Sequence, residues 1–350
     1  MLRVLHLVGS GVDDFFGDLS RLYAADCLQA TADPARYEFV IAHVTPEGWR
    51  FPAALDRASL AAAPLLSPAA AVARIERLGV DVMVPQMFCR PGMTHYRALF
   101  DLLAIPYVGN TPDVMALGAD KARARAVVAA DGVAVPAGET LRSGGTPTVA
   151  PPAVVKPVDT DNSVGVTLVR EPGGFEVALE DAFAHGDRAL VEEFVPLGRE
   201  VRCAVVERDG GLVGLPLEEY RMDAVDKPVR LADDKLARTG DGDLRLVAKD
   251  ARSWIVDPAD PVTGPVQQAA RAAFTALGCR DYGLFDFRVD PDGRPWFLEA
   301  GLYCSYARTS VIVTMAGAAG IALPELFAGA VAGAHGRRGR GPAGPLTPGA

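Results

Sequence analysis

The chain has 350 residues, 49% of them hydrophobic, which is enough for about two or three domains with sizeable cores. Its net charge of −9 argues against general nucleic-acid binding but permits a local basic pocket for phosphates. It has neither a signal-peptide layout nor a run of about 18 uncharged apolar residues, so we expect a cytoplasmic protein with no membrane contact.

The cysteines are scattered, odd in number and without CxxC spacing, which indicates neither a disulfide framework nor a zinc site. They are Cys27, Cys89, Cys203, Cys279 and Cys304. Cys304 lies in a predicted loop without a nearby histidine motif, and we interpret it as an unreactive thiol.

The first third of the chain alternates apolar runs with segments of helical pattern. Helices are predicted near 19–30, 69–78 and 95–103, and buried strands at LRVLHLV, YEFVIAHV, VDVMVPQM and IPYVG. This spacing of strands and helices predicts a parallel sheet covered by helices. We place the end of this region near Gly109.

The rest of the chain is richer in short strands with an antiparallel pattern. After a helix over 121–131, strands are predicted at AVVKPV, VTLVRE, ALVEEFV, EVRCAVVE, GGLVGLPLEEY and LRLVAKD. Further helices are expected over 175–183, 265–277, 310–319 and 324–334, with Pro265 at the first position of its helix. YGLFDFRV and PWFLEA form a hairpin across DPDG, and the Gly/Pro-rich tail is predicted to be disordered.

Two acidic side chains lie on this predicted hairpin, Asp286 on its first strand and Glu299 on its second. Side chains on paired strands converge on one point, and such a pair of carboxylates suits Mg²⁺ held together with nucleotide phosphates. A third oxygen ligand would be expected two residues later, where the chain has Gly301. The metal site predicted from the sequence therefore lacks one ligand.

Four stretches appear in the order and at the spacing of a known family: YVGNTPDVMALGADKARAR, AVVKPVDTDNSVGV, ALVEEFVPLGREV and ALGCRDYGLFDFRVDPDGRPWFLEA. Through them the chain resembles the D-alanine–D-alanine ligase family of ATP-grasp enzymes, strongly over residues 105–327 and weakly before them. The resemblance implies an α/β ATP-grasp fold with an N-terminal parallel α/β domain, two α+β domains sandwiching ATP, and possible assembly as a homodimer. The domains would be 1–109, 110–191 and 192–334, followed by a disordered tail at 335–350.

Lys156 ends a buried strand before a loop of Asp, Asn, Ser and Gly, and a cation beside free backbone N–H groups suits a phosphate. The resemblance implies that Lys121 and Lys156 contact phosphate oxygens and that the loop carrying Ser163 closes over them. It implies a third lysine on a mobile loop, either Lys249, which would also be catalytic, or Lys235. The remaining ATP contacts that it implies are Glu192, Glu193, Val195, Glu200 and Leu298, at the adenine and ribose.

Asp286 and Glu299 would hold one or two Mg²⁺ ions that bridge the ATP phosphates. Two departures from the family pattern lie near this site. Leu284 aligns with the arginine that steadies the oxyanion, and Gly301 aligns with the last metal ligand, an asparagine. Arg288 shares a strand face with Asp286 by period two, so it either supplies the missing charge or pairs structurally with a neighbouring acid.

Other departures lie at the predicted substrate end. Phe16 stands where the family has a glutamate, with Asp13 or Asp14 as alternatives for that role. The stretch MFCRPGM lacks the family histidine but keeps Arg90, and we interpret His95 as a surface residue. The family serine aligns with Asn162. Ser310 or Thr309 would meet a substrate carboxylate, with Arg308 as a bidentate clamp.

We therefore expect an ATP-dependent carboxylate–amine ligase with small-molecule substrates other than a pair of D-alanines. It would form an acyl-phosphate and release ADP and phosphate. Two alternatives remain, a nucleotide-binding protein with little ligase activity and an ATP-grasp enzyme with a non-amine acceptor.

Overall fold

The computed structural model describes residues 1–160, 163–223, 228–229, 236–238, 244–246 and 253–338. Within these residues the strands are, in chain order, β1 (Leu2–Gly9), β2 (Tyr37–Thr45), β3 (Gly48–Arg50), β4 (Val82–Pro85), β5 (Gly138–Arg142), β6 (Ala153–Pro157), β7 (Thr167–Val169), β8 (Arg188–Glu193), β9 (Arg199–Arg208), β10 (Gly211–Gly214), β11 (Glu218–Tyr220), β12 (Leu236–Arg238), β13 (Leu244–Leu246), β14 (Ser253–Ile255), β15 (Tyr282–Val289) and β16 (Pro295–Gly301).

The helices follow the same order. They are α1 (Asp14–Ala30), α2 (Arg57–Ala62), α3 (Pro68–Leu78), α4 (Arg90–Met93), α5 (His95–Leu102), α6 (Pro112–Gly118), α7 (Lys121–Ala130), α8 (Phe175–Ala184), α9 (Thr263–Ala276), α10 (Val311–Ala318) and α11 (Leu323–His335), with a 3₁₀ turn at Pro172–Gly174.

The chain divides into two compact units. The first consists of Met1–Asp113 with Tyr303–Ala350, and the second of Val114–Leu302. The predicted three-domain division, with boundaries after residues 109, 191 and 334, stays a prediction.

The first unit is built on the sheet β3-β2-β1-β4. As predicted, β1 is parallel to both β2 and β4, while β3 pairs with β2 in the antiparallel sense. The predicted strand IPYVG is reduced to one parallel bridge between Met83 and Tyr107. Leu5, Leu7 and Phe100 are fully buried in its core.

Local sequence explains where the elements of this unit begin and end. The Ser67 side chain accepts a hydrogen bond from the Ala70 N–H at the start of α3, and Pro68 occupies the first turn. Gly79 ends the helix with φ of 61°, a left-handed conformation that a Cβ atom disfavours.

The second unit contains two larger sheets. The first has the order β5-β8-β6-β7 with antiparallel pairs, and α8 packs against it. The second has the order β14-β11-β9-β15-β16, with β10 also paired to β9. Strand β5 was not predicted from the sequence, and its alternating exposed and half-buried residues are typical of an edge strand.

The predicted start of α9 was wrong. Pro265 is the third residue of α9 rather than the first, because the helix begins at Thr263. The third position tolerates proline for the same reason as the first, since its N–H has no partner within the helix.

Among the described residues, no single helix is long and apolar enough to cross a membrane. The pair α10 and α11 passes a test of length and composition together, with a bend of 112° between the helices. The five cysteines are free thiols, as expected.

Candidate functional site

A cavity of about 750 Å³, including its open mouth, lies in the second unit and is lined by both of its larger sheets. The lining includes most of the residues predicted to contact ATP and metal. They are Lys121, Lys156, Ser163, Glu192, Glu193, Val195, Glu200, Asp286, Leu298 and Glu299. Arg288, predicted as a catalytic residue, also lines the cavity.

Lys121 is positioned by the start of α7. Asp120 caps this helix by accepting a hydrogen bond from the Arg123 N–H at 3.0 Å, and it pairs with Arg188 at 2.7 Å. Burial raises the pKa of Asp120, but the bonds from Arg188 and Arg123 outweigh burial and hold that pKa below its ordinary value. The Lys121 N–H donates to Val158 O at 2.8 Å, which fastens the helix start to the end of β6.

The two predicted phosphate-binding lysines are both buried, with 8% of Lys121 and 7% of Lys156 exposed. Lysine is almost never buried without a partner. Lys156 Nζ lies 2.6 Å from Glu192 Oε2, and Arg125 Nε lies 3.1 Å from Glu192 Oε1. Lys121 Nζ donates to Thr160 O and lies 4.0 Å from Glu299 Oε2.

The loop after β6 also lines the cavity, through Thr160 and Ser163. Thr160 Oγ1 donates to Val164 O at 3.1 Å, which closes the loop on itself. Ser163 has φ of 59°, in the left-handed region that non-glycine residues rarely adopt. The loop thus lines the same cavity as the two buried lysines.

The segment that leaves β8 forms another wall. The Glu193 N–H donates to Ala137 O at 2.8 Å and the Phe194 N–H donates to Pro152 O at 3.0 Å. The Glu193 N–H is therefore already used within the protein. Apolar side chains face the same space, among them Val154, Val166 and Leu298.

Arg288 contacts the segment that follows β8. Its Nη2 lies 2.5 Å from Glu200 Oε2, and both side chains are buried. Its guanidinium also donates to Val195 O at 3.3 Å and to Pro228 O at 2.8 Å. These contacts match the structural alternative considered from the sequence more closely than an oxyanion role.

The predicted metal carboxylates are direct neighbours across the β15–β16 hairpin, where Asp286 is paired with Glu299. A register shift follows between Asp286 and Phe287, so both Leu298 and Glu299 face the cavity.

Arg202 on β9, the register partner of Asp286 on the other side of β15, was not among the residues predicted from the sequence. Arg202 Nε donates to Asp286 Oδ1 at 2.5 Å and Arg202 Nη2 donates to Asp286 Oδ2 at 3.0 Å. The sequence does place Glu200 and Arg202 on one strand face by period two. The pairing of that face with Asp286 depends on the register between β9 and β15, which the sequence does not show.

The donor set fits Mg²⁺ held partly by its nucleotide. Asp286 and Glu299 supply carboxylate oxygens, and Mg²⁺ characteristically combines one or two carboxylates with substrate phosphates. In the described part of the chain, no three His, Cys, Asp or Glu residues are grouped to hold a metal ion by themselves. Among the described residues, five acidic and three basic ones line the cavity, so an added cation would favour entry of a polyphosphate.

The two catalytic departures face each other, because Leu284 and Gly301 are register partners two positions along the same hairpin from Asp286 and Glu299. The nearest atoms to a Cβ placed on Gly301 would be Leu284 O at 3.8 Å and Leu284 Cβ at 3.9 Å, which is ordinary contact. There is room for a Cβ atom at Gly301, so close backbone packing does not explain the glycine.

The residues predicted for the substrate end lie in the first unit or outside the described residues. Asp13 caps α1, accepting from the Phe16 N–H at 2.8 Å, and the Phe16 side chain packs against the core of that unit. Asp14, the first residue of α1, and Arg90, the first residue of α4, are both exposed. Lys249, Lys235 and Asn162 lie outside the described residues.

Arg308 forms contacts within the first unit. Its Nη1 lies 2.5 Å from Asp26 Oδ1, and Gln29 Oε1 accepts hydrogen bonds from both of its terminal nitrogens. Ser310 precedes α10, and its Oγ lies 3.9 Å from Cys304 Sγ. Burial raises the pKa of Cys304 to about 11, so the thiol is protonated at neutral pH. The substrate roles of Asp14, Phe16, Arg90, Arg308 and Ser310 stay predictions.

Comparison with known proteins gives the same family as the sequence motifs. The family model described as D-ala D-ala ligase C-terminus matches residues 143–228. The D-alanine–D-alanine ligase of Citrifermentans bemidjiense is 30% identical over 237 residues, covering 66% of this chain and 70% of that protein.

Solved structures show the same fold. The D-alanine–D-alanine ligase of Coxiella burnetii superposes with a TM-score of 0.74 at 21% identity, covering 97% of each chain. The VanG D-Ala:D-Ser ligase of Enterococcus faecalis gives 0.72 at 19% identity, covering 95% of this chain and 99% of that one. The predicted ATP-grasp fold is confirmed. On the strength of the relative in Citrifermentans, the chain belongs to the D-alanine–D-alanine ligase family, a family of ATP-dependent ligases.

Proposed function

We propose that the protein joins a small carboxylic acid to an amine with ATP, and that its substrates differ from a pair of D-alanines. One observation carries the proposal. The cavity keeps the buried lysines and the paired carboxylates Asp286 and Glu299, while the pair two positions along the hairpin is Leu284 and Gly301. The nucleotide half of the site is thus retained, and the half where the acyl group reacts is altered.

The residues divide the work by position. Lys121, Lys156 and the hydroxyl of Ser163 would meet phosphate oxygens. The Glu193 carbonyl and Val195 N–H would pair with the adenine edge. Arg288 would hold the segment after β8 in place through its contacts with Val195 O and Glu200. Asp286 and Glu299 would hold Mg²⁺, which supplies neutralising charge for the phosphates when it is bound.

The reaction begins when a substrate carboxylate oxygen forms a bond to the γ-phosphorus and the bond from that phosphorus to the β-phosphate oxygen breaks. ADP leaves and an acyl-phosphate remains. The amine then forms a C–N bond and loses a proton, while the C–O bond breaks and phosphate leaves. Leu284 offers no charge to the tetrahedral oxyanion. Loss of one oxyanion donor typically costs about 10²–10³ in rate.

The first test measures ADP and phosphate while acids and amines are supplied separately and together. We expect phosphate release to require both an acid and an amine, and the product mass to equal their sum less one water. Formation of AMP and pyrophosphate would exclude this mechanism. A product containing the acid but no amine would favour an acceptor of another kind.

The Leu284 and Gly301 pair also supports a second candidate, a nucleotide-binding protein with little ligase activity. ATP binding without any acceptor-dependent ADP release would favour it. The variant Leu284→Arg, Gly301→Asn separates the two, since a Cβ atom at Gly301 would make only ordinary contacts. A gain of turnover indicates a decayed ligase, whereas loss of a measurable wild-type activity indicates a site adapted to other substrates.

A further inference from the structure

A row of charged side chains crosses the larger sheet of the second unit. Glu218, Arg202, Asp286 and Glu299 are successive register partners on β11, β9, β15 and β16. Register partners project to the same face of the sheet. The charge alternates in sign from Glu218 to Asp286, and the last two members, Asp286 and Glu299, are both carboxylates. Arg202 is the cation in the middle of this row.

The guanidinium of Arg202 covers both oxygens of Asp286, at 2.5 and 3.0 Å. This bidentate geometry is the strongest form of an arginine–carboxylate pair. Its side chain is 14% exposed, so the pair is weakly screened by solvent.

Arg202 is also held from its other side. Its guanidinium carbon lies 5.3 Å from the centre of the Tyr220 ring, and its register partner Glu218 is 2% exposed. Glu218 in turn accepts hydrogen bonds from Tyr220 Oη and, at 3.3 Å, from Ser253 Oγ. Burial lowers the pKa of Arg202, but Asp286, Tyr220 and Glu218 outweigh burial and raise that pKa well above its ordinary value. The positive charge is permanent and fixed in place.

We propose that Arg202 takes the place of one divalent cation at Asp286, so that the nucleotide site holds a single Mg²⁺. The inference rests on the proposed function only in that this Mg²⁺ arrives with ATP. Two cations compete for the same carboxylate oxygens and repel each other at such short range. A second metal ion would also need a further protein oxygen, and Gly301 supplies no side-chain oxygen at the nearby pair. The single ion is then held by Glu299 and the phosphates, while Asp286, proposed above as a metal ligand, binds Arg202 instead.

The proposal is tested by counting metal ions on the full-length protein. Mn²⁺ is titrated in the presence of a non-hydrolysable ATP analogue, and free Mn²⁺ is followed by electron paramagnetic resonance. We expect one Mn²⁺ per chain for the wild type and two for Arg202→Met, whose unbranched side chain keeps much of the packing. Two ions on the wild type, or only one on Arg202→Met, would overturn the proposal.

Arg199→Met is the matched control. Arg199 lies on the same strand and also forms a bidentate pair, with Glu219 Oε1 at 2.9 Å and Glu219 Oε2 at 2.5 Å. Arg199 is not a member of the row that contains Asp286, so we expect Arg199→Met to bind one Mn²⁺ per chain. Arg202→Lys keeps a positive charge beside Asp286 and should also bind one. A second ion on Arg202→Lys counts against the proposal even if Arg202→Met does not fold.

A second measurement needs no nucleotide. Thermal unfolding is followed with and without Mn²⁺ alone. The ion should raise the Tm of Arg202→Met by about 5 °C or more at saturation, because it replaces the lost cation, and should leave the wild type nearly unchanged. Equal shifts in both proteins would contradict the role of Arg202. Failure of the wild type to bind the ATP analogue would instead contradict the proposed function.

Discussion

The buried pair of Lys156 and Glu192 shows how single residues prepare this cavity for an anion. Lys156 is 7% exposed, and its ammonium lies 2.6 Å from the Glu192 carboxylate. Arg125 also approaches this carboxylate. Burying a charge is costly unless it is paired, so Glu192 keeps the cation in the cavity wall before any phosphate arrives. Two cations around one carboxylate leave an excess positive charge for the ligand.

Replacing Lys156 with methionine should weaken binding of an ATP analogue about 10–100-fold, the equivalent of one or two charge-assisted hydrogen bonds. Because Arg125 remains beside Glu192, we expect a stability loss of about 1–3 kcal/mol, less than for a carboxylate left without any partner. Isothermal titration calorimetry and thermal unfolding measure the two effects.

Arg142→Met serves as its control. Arg142 lies on β5, the edge strand of the sheet that contains Lys156, and pairs with Asp187 at 2.9 Å. Both side chains of this pair are mostly exposed. Such pairs contribute little, so nucleotide affinity should not change and stability should change by less than about 1 kcal/mol. Equal loss of affinity in both variants would argue against a phosphate contact at Lys156.

At the scale of elements, the β15–β16 hairpin shows what period-two reasoning predicts and where it stops. The alternation of YGLFDFRV and the turn DPDG predict the hairpin, and with it the meeting of Asp286 and Glu299. The register shift after Asp286 is not visible in the sequence, yet it brings adjacent residues Leu298 and Glu299 to the same cavity. The pairing of Arg202 with Asp286 likewise depends on the order of strands in the sheet.

The β1–β2 layer of the first unit contains two buried histidines. Burial lowers the pKa of His6 to about 3, while burial followed by the charges of Arg21 and Arg50 lowers that of His43 to about 4. His6 packs against Phe39 and Phe327 at ring distances of 4.7 and 6.2 Å. Both imidazoles are therefore neutral in the folded protein near neutral pH.

This arrangement predicts the direction of a pH dependence. The unfolded chain takes up protons on both histidines below about pH 6.5, while the folded chain does so only near pH 3 to 4. Stability should be full above pH 6.5 and fall as the pH drops, by about 2 kcal/mol per histidine at pH 5. In His6→Phe the free energy of unfolding should fall less between pH 7.5 and 5, by the amount attributed to one histidine. Denaturant unfolding at these pH values measures the difference. The exposed His95→Asn should keep the wild-type slope.

At the scale of the whole molecule, the residues expected to bind ATP all come from the second unit where they are described. An ATP analogue with Mg²⁺ should therefore slow amide exchange in β6, β8, β15 and β16. Amides of β1 and β2, in the sheet of the first unit, should exchange as before when the analogue is added alone. Hydrogen-exchange mass spectrometry measures both. Protection confined to β1 and β2 would contradict the assigned nucleotide site, and Lys156→Met at the same analogue concentration should show less protection of β6.

The sequence by itself determined the family and the order of most helices and strands, and it predicted many of the residues that line the cavity. It did so because Lys121, Lys156 and the Glu192–Glu200 segment stand in local motifs whose order along the chain is preserved, and because hydrophobic period reports which residues face a core. The tertiary structure decided which charge meets which. Arg288 is engaged by Glu200, and Arg202 reaches Asp286, since strand order and register set the partners of charges distant in sequence.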